Sequence, residues 1–237
     1  MNFELTIIIP VYNEEDNLNR VHQEMKQFLS IAKKKTKVLF VNDGSKDNSQ
    51  SLIEKICKND EEFNFISFAK NTGLSAAIKA GFDYTDTYWV GYIDADLQTA
   101  PEDFNTLIEY AGDFDLVTGV RSNRKDSFTK NMSSKIANSI RRTFTNDGMD
   151  DTGCPLKIIR TDMAKKIPMF NGLHRFLPAM ILLQNGKIKQ TSVRHFQRIA
   201  GVSKFNLWNR LLGPLQDCFA YLWMKKKYIN YSVAKQG

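Results

Sequence analysis

The amino-acid sequence predicts an α/β fold, with a doubly wound, mostly parallel sheet that carries helices on both faces. Short apolar runs alternate along the chain with stretches in which apolar residues recur at helical spacing. Strands separated by helices pair in parallel, which gives a sheet covered on both sides. The chain has 237 residues, of which 42% are hydrophobic, and this is ample for one well-buried domain.

The first half of the chain predicts four strands and three helices. Residues 5–11 read LTIIIPV, an apolar β-branched run typical of a buried strand. A helix is predicted over residues 17–33, where five apolar residues recur at helical spacing: Leu18, Val21, Met25, Phe28 and Ala32. The other strands are predicted at 37–41, 63–69 and 89–93. The second helix, capped by Ser45 or Asp47, ends near residue 58, and the third spans 74–84.

The second half predicts shorter elements around a polar loop. Strands are predicted at 116–119, 156–160 and 188–196, and helices at about 103–111, 136–144 and 175–184. Residues 120–150 are polar and predict a mobile loop around the middle helix. The domain itself is expected to span residues 1–205.

Residues 206–237 predict an amphipathic, basic C-terminal segment. One helical stripe contains Trp208, Leu211, Leu212, Leu215, Phe219, Leu222 and Trp223, interrupted only by Gly213-Pro214. The basic cluster Lys225-Lys226-Lys227 follows directly. An aromatic stripe beside lysines fits contact with a membrane surface. The alternative is that the stripe packs on the protein's own sheet.

The two halves of the chain carry opposite charge. Residues 1–110 contain 11 Lys and Arg against 18 Asp and Glu, a net of −7, and residues 111–237 contain 22 against 8, a net of +14. This split suggests an acidic, metal-binding half and a basic half that faces an anionic partner. A nucleic-acid partner is disfavoured because no helix-turn-helix, RNA-recognition motif or zinc finger is recognisable.

Other features bear on the compartment. The three cysteines have no metal-ligand spacing and fit a reduced, cytosolic environment. The N-terminus shows no secretory signal, and no stretch approaches the roughly 20 apolar residues of a spanning helix. We therefore expect a cytoplasmic protein.

Polar turns follow three predicted strands, at residues 12–16, 42–45 and 94–98. In a parallel sheet these turns share one edge, which is where ligands bind in open α/β folds. The third turn places Asp94 and Asp96 directly after a strand, and paired carboxylates suit a divalent cation that also binds substrate phosphates. A dinucleotide fingerprint and a P-loop are both absent.

These motifs together resemble a known family. IPVYNE at 9–14, VNDGS at 41–45, NTG at 71–73 and DADLQ at 94–98 resemble the family-two inverting glycosyltransferases of the GT-A fold. GVR at 119–121, DTGC at 151–154, HRF at 174–176, HFQR at 195–198 and GVSK at 201–204 resemble the branch with dolichyl-phosphate mannose synthase and bacterial polyprenyl-phosphate sugar transferases. The resemblance covers about residues 3–205.

The resemblance implies a set of site residues. Those of the nucleotide pocket are Pro10, Tyr12, Glu14, Asp43, Asn71, Asp94, Ala95 and Asp96, with Asp43 accepting a hydrogen bond from the base. Asp96 and Gln98 are the implied ligands of Mg²⁺ or Mn²⁺. The implied catalytic residues are Asp96, Arg121 and Arg198, and the implied acceptor-phosphate residues are Arg121, Arg124, Arg198, Ser203 and Lys204. The chain departs from the family at Thr99-Ala100-Pro101, where His-Pro-Pro is frequent.

The expected function is metal-dependent, inverting transfer of a sugar from a UDP- or GDP-linked donor to a polyprenyl phosphate of the undecaprenyl or dolichyl type. The expected setting is the cytoplasmic face of a membrane, with the membrane surface and a small membrane-anchoring protein as partners. One alternative is transfer to a saccharide hydroxyl, which would need a carboxylate base. Another is a non-catalytic module that binds nucleotide or tethers a complex at the membrane.

Overall fold

The computed structural model describes residues 2–121, 141–196, 207–230 and 234–235, with side chains in the last helix from residue 215 onward. Within these ranges a seven-stranded sheet has the order β3-β2-β1-β4-β6-β5-β7. Its strands are β1 Leu5–Val11, β2 Thr36–Asn42, β3 Phe63–Ser67, β4 Trp89–Tyr92, β5 Leu116–Arg121, β6 Lys157–Arg160 and β7 Ile188–Val193. Only β6 runs antiparallel to its neighbours β4 and β5. The prediction of a mostly parallel α/β sheet is therefore confirmed.

The helices cover both faces of this sheet. They are α1 Glu15–Ile31, α2 Ser49–Asn59, α3 Leu74–Tyr84, α4 Phe104–Ile108, α5 Thr161–Lys165, α6 Leu177–Leu183 and α7 Leu207–Lys227. The helix predicted over 175–184 begins instead as a 3₁₀ turn, Leu173–Phe176. Of the helix predicted over 136–144, residues 141–145 are helical and 136–140 lie outside the described residues. The sequence reading missed α5.

Alternation along β1 explains the two layers of core. Ile7, Ile9 and Val11 pack with residues of α1, α2 and α4 on one face. Ile8 points the other way and packs with residues of α3, α5 and α6. Successive side chains of a strand point to opposite faces, so a run apolar at every position is buried on both.

The strand directions decide where polar turns meet. The carboxyl ends of β1, β2, β4, β5 and β7 and the start of antiparallel β6 all lie at one edge, here called the carboxyl edge. The expectation that the turns at 12–16, 42–45 and 94–98 share an edge is confirmed. The described helices include none that is both long and apolar enough to cross a bilayer.

Candidate active site

A cleft of about 500 Å³ opens at the carboxyl edge between β1, β2 and the segment after β3. Tyr12 and Asn71, two of the expected nucleotide-pocket residues, line it together with Gly44. Gly44 has a φ of +65°, and a Cβ there would approach the Asn71 nitrogen to 2.6 Å. The position therefore requires glycine, because a larger residue would be strained and would close the cleft.

Hydrogen bonds tie the first two turns into one unit. The Asn13 N–H donates to Ser45 Oγ at 3.0 Å, and the Lys46 N–H donates back to Asn13 Oδ1 at 2.8 Å. The Glu14 N–H donates to Ser49 Oγ at 3.0 Å. Side chains thus accept hydrogen bonds from backbone donors of both turns, which holds the two turns together beside the cleft.

Asp43 organises the loop before α3. Its buried carboxylate accepts hydrogen bonds from the Thr72 N–H at 2.6 Å, the Gly73 N–H at 2.8 Å and Asn71 Nδ2 at 2.8 Å. These three contacts fix the loop and hold Asn71 beside the cleft. The structure thus gives Asp43 a loop-ordering role, whereas the resemblance implies contact with the base.

The turn after β4 has a constrained backbone. Leu97 has a φ of +45°, an uncommon conformation for a residue other than glycine. Asp96 Oδ1 accepts the Gln98 N–H at 3.2 Å, and the Asp96 carbonyl accepts Arg20 Nη2 at 2.5 Å. Backbone of this kind persists only where surrounding contacts enforce it, and it is frequent at functional sites.

Asp94 and Asp96 concentrate negative charge at the end of β4. Burial, followed by the neighbouring charge of Asp96, raises the pKa of Asp94 to about 6. Tyr92 Oη donates to Asp94 Oδ1 at 2.6 Å, and burial followed by the Asp94 charge raises the pKa of Tyr92. Two crowded carboxylates are the arrangement that a cation relieves.

The donor set fits a divalent cation that shares its coordination with substrate. In the described parts of the chain, no group of three or more His, Cys, Asp or Glu side chains is arranged to hold a metal. Mg²⁺ is usually bound by one or two carboxylates together with substrate phosphates rather than by an all-protein cage. Asp96, with Asp94 beside it and the amide of Gln98 in the same turn, matches that pattern.

The end of β7 is attached to this turn. The Phe196 N–H donates to the Gln98 carbonyl at 2.8 Å, and Gln98 Nε2 donates to the Phe196 carbonyl at 3.4 Å. His195 donates from Nδ1 to the Gln98 carbonyl at 3.0 Å. Phe196, two residues before Arg198, is therefore held at the turn that contains Asp94, Asp96 and Gln98. Four expected acceptor residues lie outside the described residues: Arg124, Arg198, Ser203 and Lys204.

Arg121 lies at the carboxyl end of β5 and binds Asp151. Its Nε donates to Asp151 Oδ2 at 2.7 Å and its Nη2 to Asp151 Oδ1 at 2.8 Å, a bidentate pair with little exposure. This bidentate pair holds the guanidinium at the carboxyl edge. Asp151 belongs to the DTGC motif at 151–154, but no role was predicted for it.

Lys157 is a buried cation that the sequence reading missed. It is the first residue of β6, only 2% exposed, and its Nζ donates to the carbonyls of Thr152 (3.3 Å) and Cys154. Burial lowers the pKa of Lys157. The positive charge of Lys157 offsets part of the rise in the pKa of Asp94 that burial and Asp96 cause. The sequence does contain a signal, because Lys157 lies within an apolar strand. Lysine is seldom fully buried unless its charge has partners, so a lysine at such a position indicates a specific role.

The sequence of this chain matches the model of a known protein family. The model described as glycosyl transferase family 2 matches residues 6–167, more than half of the chain. The chain belongs to glycosyl transferase family 2. The matched range contains the cleft, the Asp94–Asp96 turn, Arg121, Asp151 and Lys157.

Curated family 2 relatives include the undecaprenyl-phosphate 4-deoxy-4-formamido-L-arabinose transferases of Salmonella choleraesuis and Salmonella paratyphi B. Each is 31% identical over 216 residues, which is 90% of this chain and 66% of the relative. The chain thus spans about two thirds of the length of these relatives.

Solved structures establish the fold of this family 2 member. A mannosyltransferase from Pyrobaculum calidifontis, in complex with GDP-Man and Mn²⁺, matches with a TM-score of 0.68 at 15% identity, covering 98% of this chain and 66% of that one. Glucosyl-3-phosphoglycerate synthase from Mycobacterium tuberculosis, with Mn²⁺, UDP-glucose and phosphoglyceric acid, matches with a TM-score of 0.69 at 12% identity, covering 96% and 81%. The fold is GT-A, as expected.

A half-buried histidine, His174, contacts the first turn of α3. Ser75 Oγ accepts the Gly172 N–H at 3.0 Å and shares a hydrogen bond of 2.8 Å with His174 Nδ1. Burial, with a smaller contribution from Arg175, lowers the pKa of His174 from 6.5 to about 3. The ring is therefore neutral at physiological pH, which fits a structural role.

His174 should make the fold sensitive to acid. Its pKa is lower in the folded chain, so the unfolded chain takes up the proton first as pH falls. The stability that neutral His174 contributes is fully present above about pH 6.5 and is lost as the pH falls towards 3, by at most about 1.4 kcal/mol per unit. Urea denaturation between pH 7 and 4.5 should show this slope, and His174→Gln should reduce it. Equal slopes for both proteins would contradict the assignment.

Proposed function

We propose that the protein moves a sugar from a nucleotide-sugar to a polyprenyl phosphate, with inversion at the anomeric carbon. The observation that carries this proposal is the meeting, at one edge, of the cleft, the Asp94–Asp96 turn and the end of β7, where Phe196 is bonded to Gln98. The names of the curated relatives support the acceptor class, since both are undecaprenyl-phosphate sugar transferases.

The donor nucleotide occupies the cleft between β1 and β2. The nucleoside lies against Tyr12 and Asn71, the latter held by Asp43. Pro10, Glu14, Asp94 and Ala95 complete the pocket in this proposal. The diphosphate then extends from the cleft towards the Asp94–Asp96 turn, and the nucleotide is uridine or guanosine diphosphate.

Asp96 and Gln98 hold Mg²⁺ or Mn²⁺ in this proposal. When bound, the ion acts as a Lewis acid that neutralises charge developing on the leaving diphosphate. Asp96 is held for this task by the Gln98 N–H and, through its carbonyl, by Arg20. The Mn²⁺ in both solved relatives supports the choice of ion.

The acceptor phosphate binds among Arg121, Arg124, Arg198, Ser203 and Lys204. One of its oxygens attacks the anomeric carbon, a new carbon–oxygen bond forms, and the bond to the diphosphate breaks with its electron pair leaving on the nucleotide. A single displacement of this kind inverts the configuration. A phosphate monoester has a second pKa of about 6 and is already largely ionised at pH 7, so no general base is needed. Asp96, Arg121 and Arg198 are the catalytic residues of the proposal.

The proposed setting is the cytoplasmic face of a membrane, where a lipid-linked acceptor is available. A basic half of the chain with a net charge of +14 suits both the acceptor phosphate and an anionic surface. A small membrane-anchoring protein is a further proposed partner.

The test is a mass-spectrometric assay of the purified protein with a panel of UDP- and GDP-sugars and a short polyprenyl phosphate. One donor should give a glycosyl phosphate product, and EDTA should reduce its formation by about a hundredfold or more, because metal stabilisation of the leaving group is worth several kcal/mol. Free saccharides serve as control acceptors. Efficient transfer to a saccharide hydroxyl without transfer to polyprenyl phosphate would contradict the proposal, and undiminished turnover in EDTA would remove the metal.

A further inference from the structure

We propose that the outer face of α7 docks on an anionic lipid surface. This face consists of Leu215, Phe219, Leu222 and Trp223, and Lys225–Lys227 extend it at the end of the helix. The biological reason for this docking rests on the proposed function, since a lipid-linked acceptor lies in a membrane. The outer face of α7 would be the surface that meets that membrane. The docking itself is testable without donor or acceptor.

The inner face of α7 fixes how the helix is oriented. Cys218 and Tyr221 are each 1% exposed and belong to the core beneath the helix. Tyr221 stacks on Phe176 with ring centroids 5.7 Å apart. Asp217 also faces inward, where it pairs with Arg175 at 3.5 Å. The helix therefore packs on the domain through Asp217, Cys218 and Tyr221. The opposite side of the helix faces away from the domain.

Among the described residues, the outer face of α7 presents apolar side chains to solvent. Leu215 and Leu222 are each 38% exposed, Phe219 is 59% exposed and Trp223 is 67% exposed. Phe219 meets Phe144 edge-on, with ring centroids 5.5 Å apart. Four large apolar side chains in two turns form a contiguous exposed patch, and such patches mark interaction surfaces.

The charges beside this patch favour lipid over protein. Lys225, Lys226 and Lys227 are all exposed, and the one acidic residue between 215 and 230 is Asp217, which faces inward. Lysine is depleted from protein–protein interfaces, whereas lysines next to an apolar helix face attract anionic headgroups. Tryptophan is favoured at the boundary between headgroups and acyl chains.

Docking through α7 would also orient the catalytic domain. The segment beneath the helix, Gly172–Phe176, is bonded through Ser75 to α3. The first turn of α3 begins after Gly73, whose N–H binds Asp43 beside the cleft. A membrane contact at α7 is thus made by a rigid part of the domain rather than by a loose tail.

Sedimentation with phospholipid vesicles tests the proposal directly. The wild-type protein should bind vesicles of phosphatidylcholine with 30% phosphatidylglycerol and bind pure phosphatidylcholine far more weakly. Replacing Lys225, Lys226 and Lys227 by glutamine should lower the affinity about a hundredfold, at about fivefold per lysine. High salt should weaken wild-type binding in the same direction. Equal binding to both kinds of vesicle would overturn the electrostatic part.

Matched variants separate the outer face from general surface hydrophobicity. The double variant Phe219→Ser/Trp223→Ser should lower vesicle affinity at least tenfold. The control, Tyr84→Ser/Tyr88→Ser, removes two aromatics that are 70% and 64% exposed elsewhere and should bind as wild type does. Equal losses in both variants, or no loss in the first, would overturn the proposal.

Brominated lipids report the depth of Trp223. Vesicles brominated near the headgroup should quench wild-type fluorescence, and most of this quenching should vanish in Trp223→Phe, which still binds. Light scattering tests the competing occupant: a dimer abolished by Phe219→Ser/Trp223→Ser, with no vesicle binding, would assign the face to a second copy. Transfer to a short, soluble polyprenyl phosphate should be unchanged in that variant. Absence of transfer in every variant, with vesicle binding intact, would contradict the proposed function and leave the docking face standing.

Discussion

Replacing Asp96 by asparagine is expected to lower kcat/KM for sugar transfer about 100- to 1,000-fold without unfolding the protein. The loss follows because the neutral amide is a poor ligand for the cation that stabilises the leaving diphosphate, a contribution of several kcal/mol. The turn should survive, since asparagine retains the oxygen that accepts the Gln98 N–H, and Arg20 binds the main chain. Steady-state kinetics with saturating Mg²⁺ or Mn²⁺ provide the measurement.

The control for this variant is Asp113→Asn, which removes one negative charge from an exposed position outside the site. Its kcat/KM should remain within a factor of two or so of wild type, because surface changes away from special features have small effects. Wild-type activity in Asp96→Asn would exclude Asp96 as a ligand. An unfolded Asp96→Asn protein, seen by circular dichroism, would instead show that the turn depends on the charge.

Removing the carboxylate of Asp151 should lower the free energy of unfolding by about 3–5 kcal/mol, because Asp151→Ala leaves the guanidinium of Arg121 with little exposure and without its bidentate partner. The adjacent Asp150→Ala is the matched control, because Asp150 pairs with Arg142 at an exposed position. Exposed pairs contribute about 0–1 kcal/mol. Urea denaturation of both variants gives the comparison.

A double-mutant cycle identifies the source of this loss. Arg121→Met combined with Asp151→Ala removes the stranded charge, so the double variant should be more stable than Asp151→Ala alone. Its transfer activity should nevertheless stay low, because Arg121 is proposed to bind the acceptor. Equal destabilisation by Asp150→Ala and Asp151→Ala would contradict the account of the pair.

The fold was largely predictable because its signals are local. The apolar run at 5–11 and the helical spacing from Leu18 to Phe28 define β1 and α1 without tertiary information. The antiparallel direction of β6 was not predicted, since an apolar run carries no direction. Only its pairing with β4 and β5 shows which way β6 runs.

The placement of the polar turns was predictable because they follow buried strands directly. The structure places the turns that contain Asp43, Asp94 and Asp96 at the carboxyl edge, as the strand pattern predicted. The roles of Asp151 and Lys157 were not predicted. Asp151 pairs with Arg121, which lies 30 residues away in the sequence, and the role of Lys157 depends on its burial. The orientation of α7 was left open for a similar reason: the pairing of Asp217 with Arg175 is a tertiary contact.

The configuration of the product shows whether sugar is transferred to the phosphate with inversion. The purified protein, a nucleotide-sugar of known anomeric configuration and a short polyprenyl phosphate should give one product, examined by ¹H and ³¹P NMR. We expect a new phosphodiester to the anomeric carbon, with the anomeric configuration opposite to that of the donor. A glycoside linked through a hydroxyl, or a glycosyl phosphate that retains the donor configuration, would contradict it.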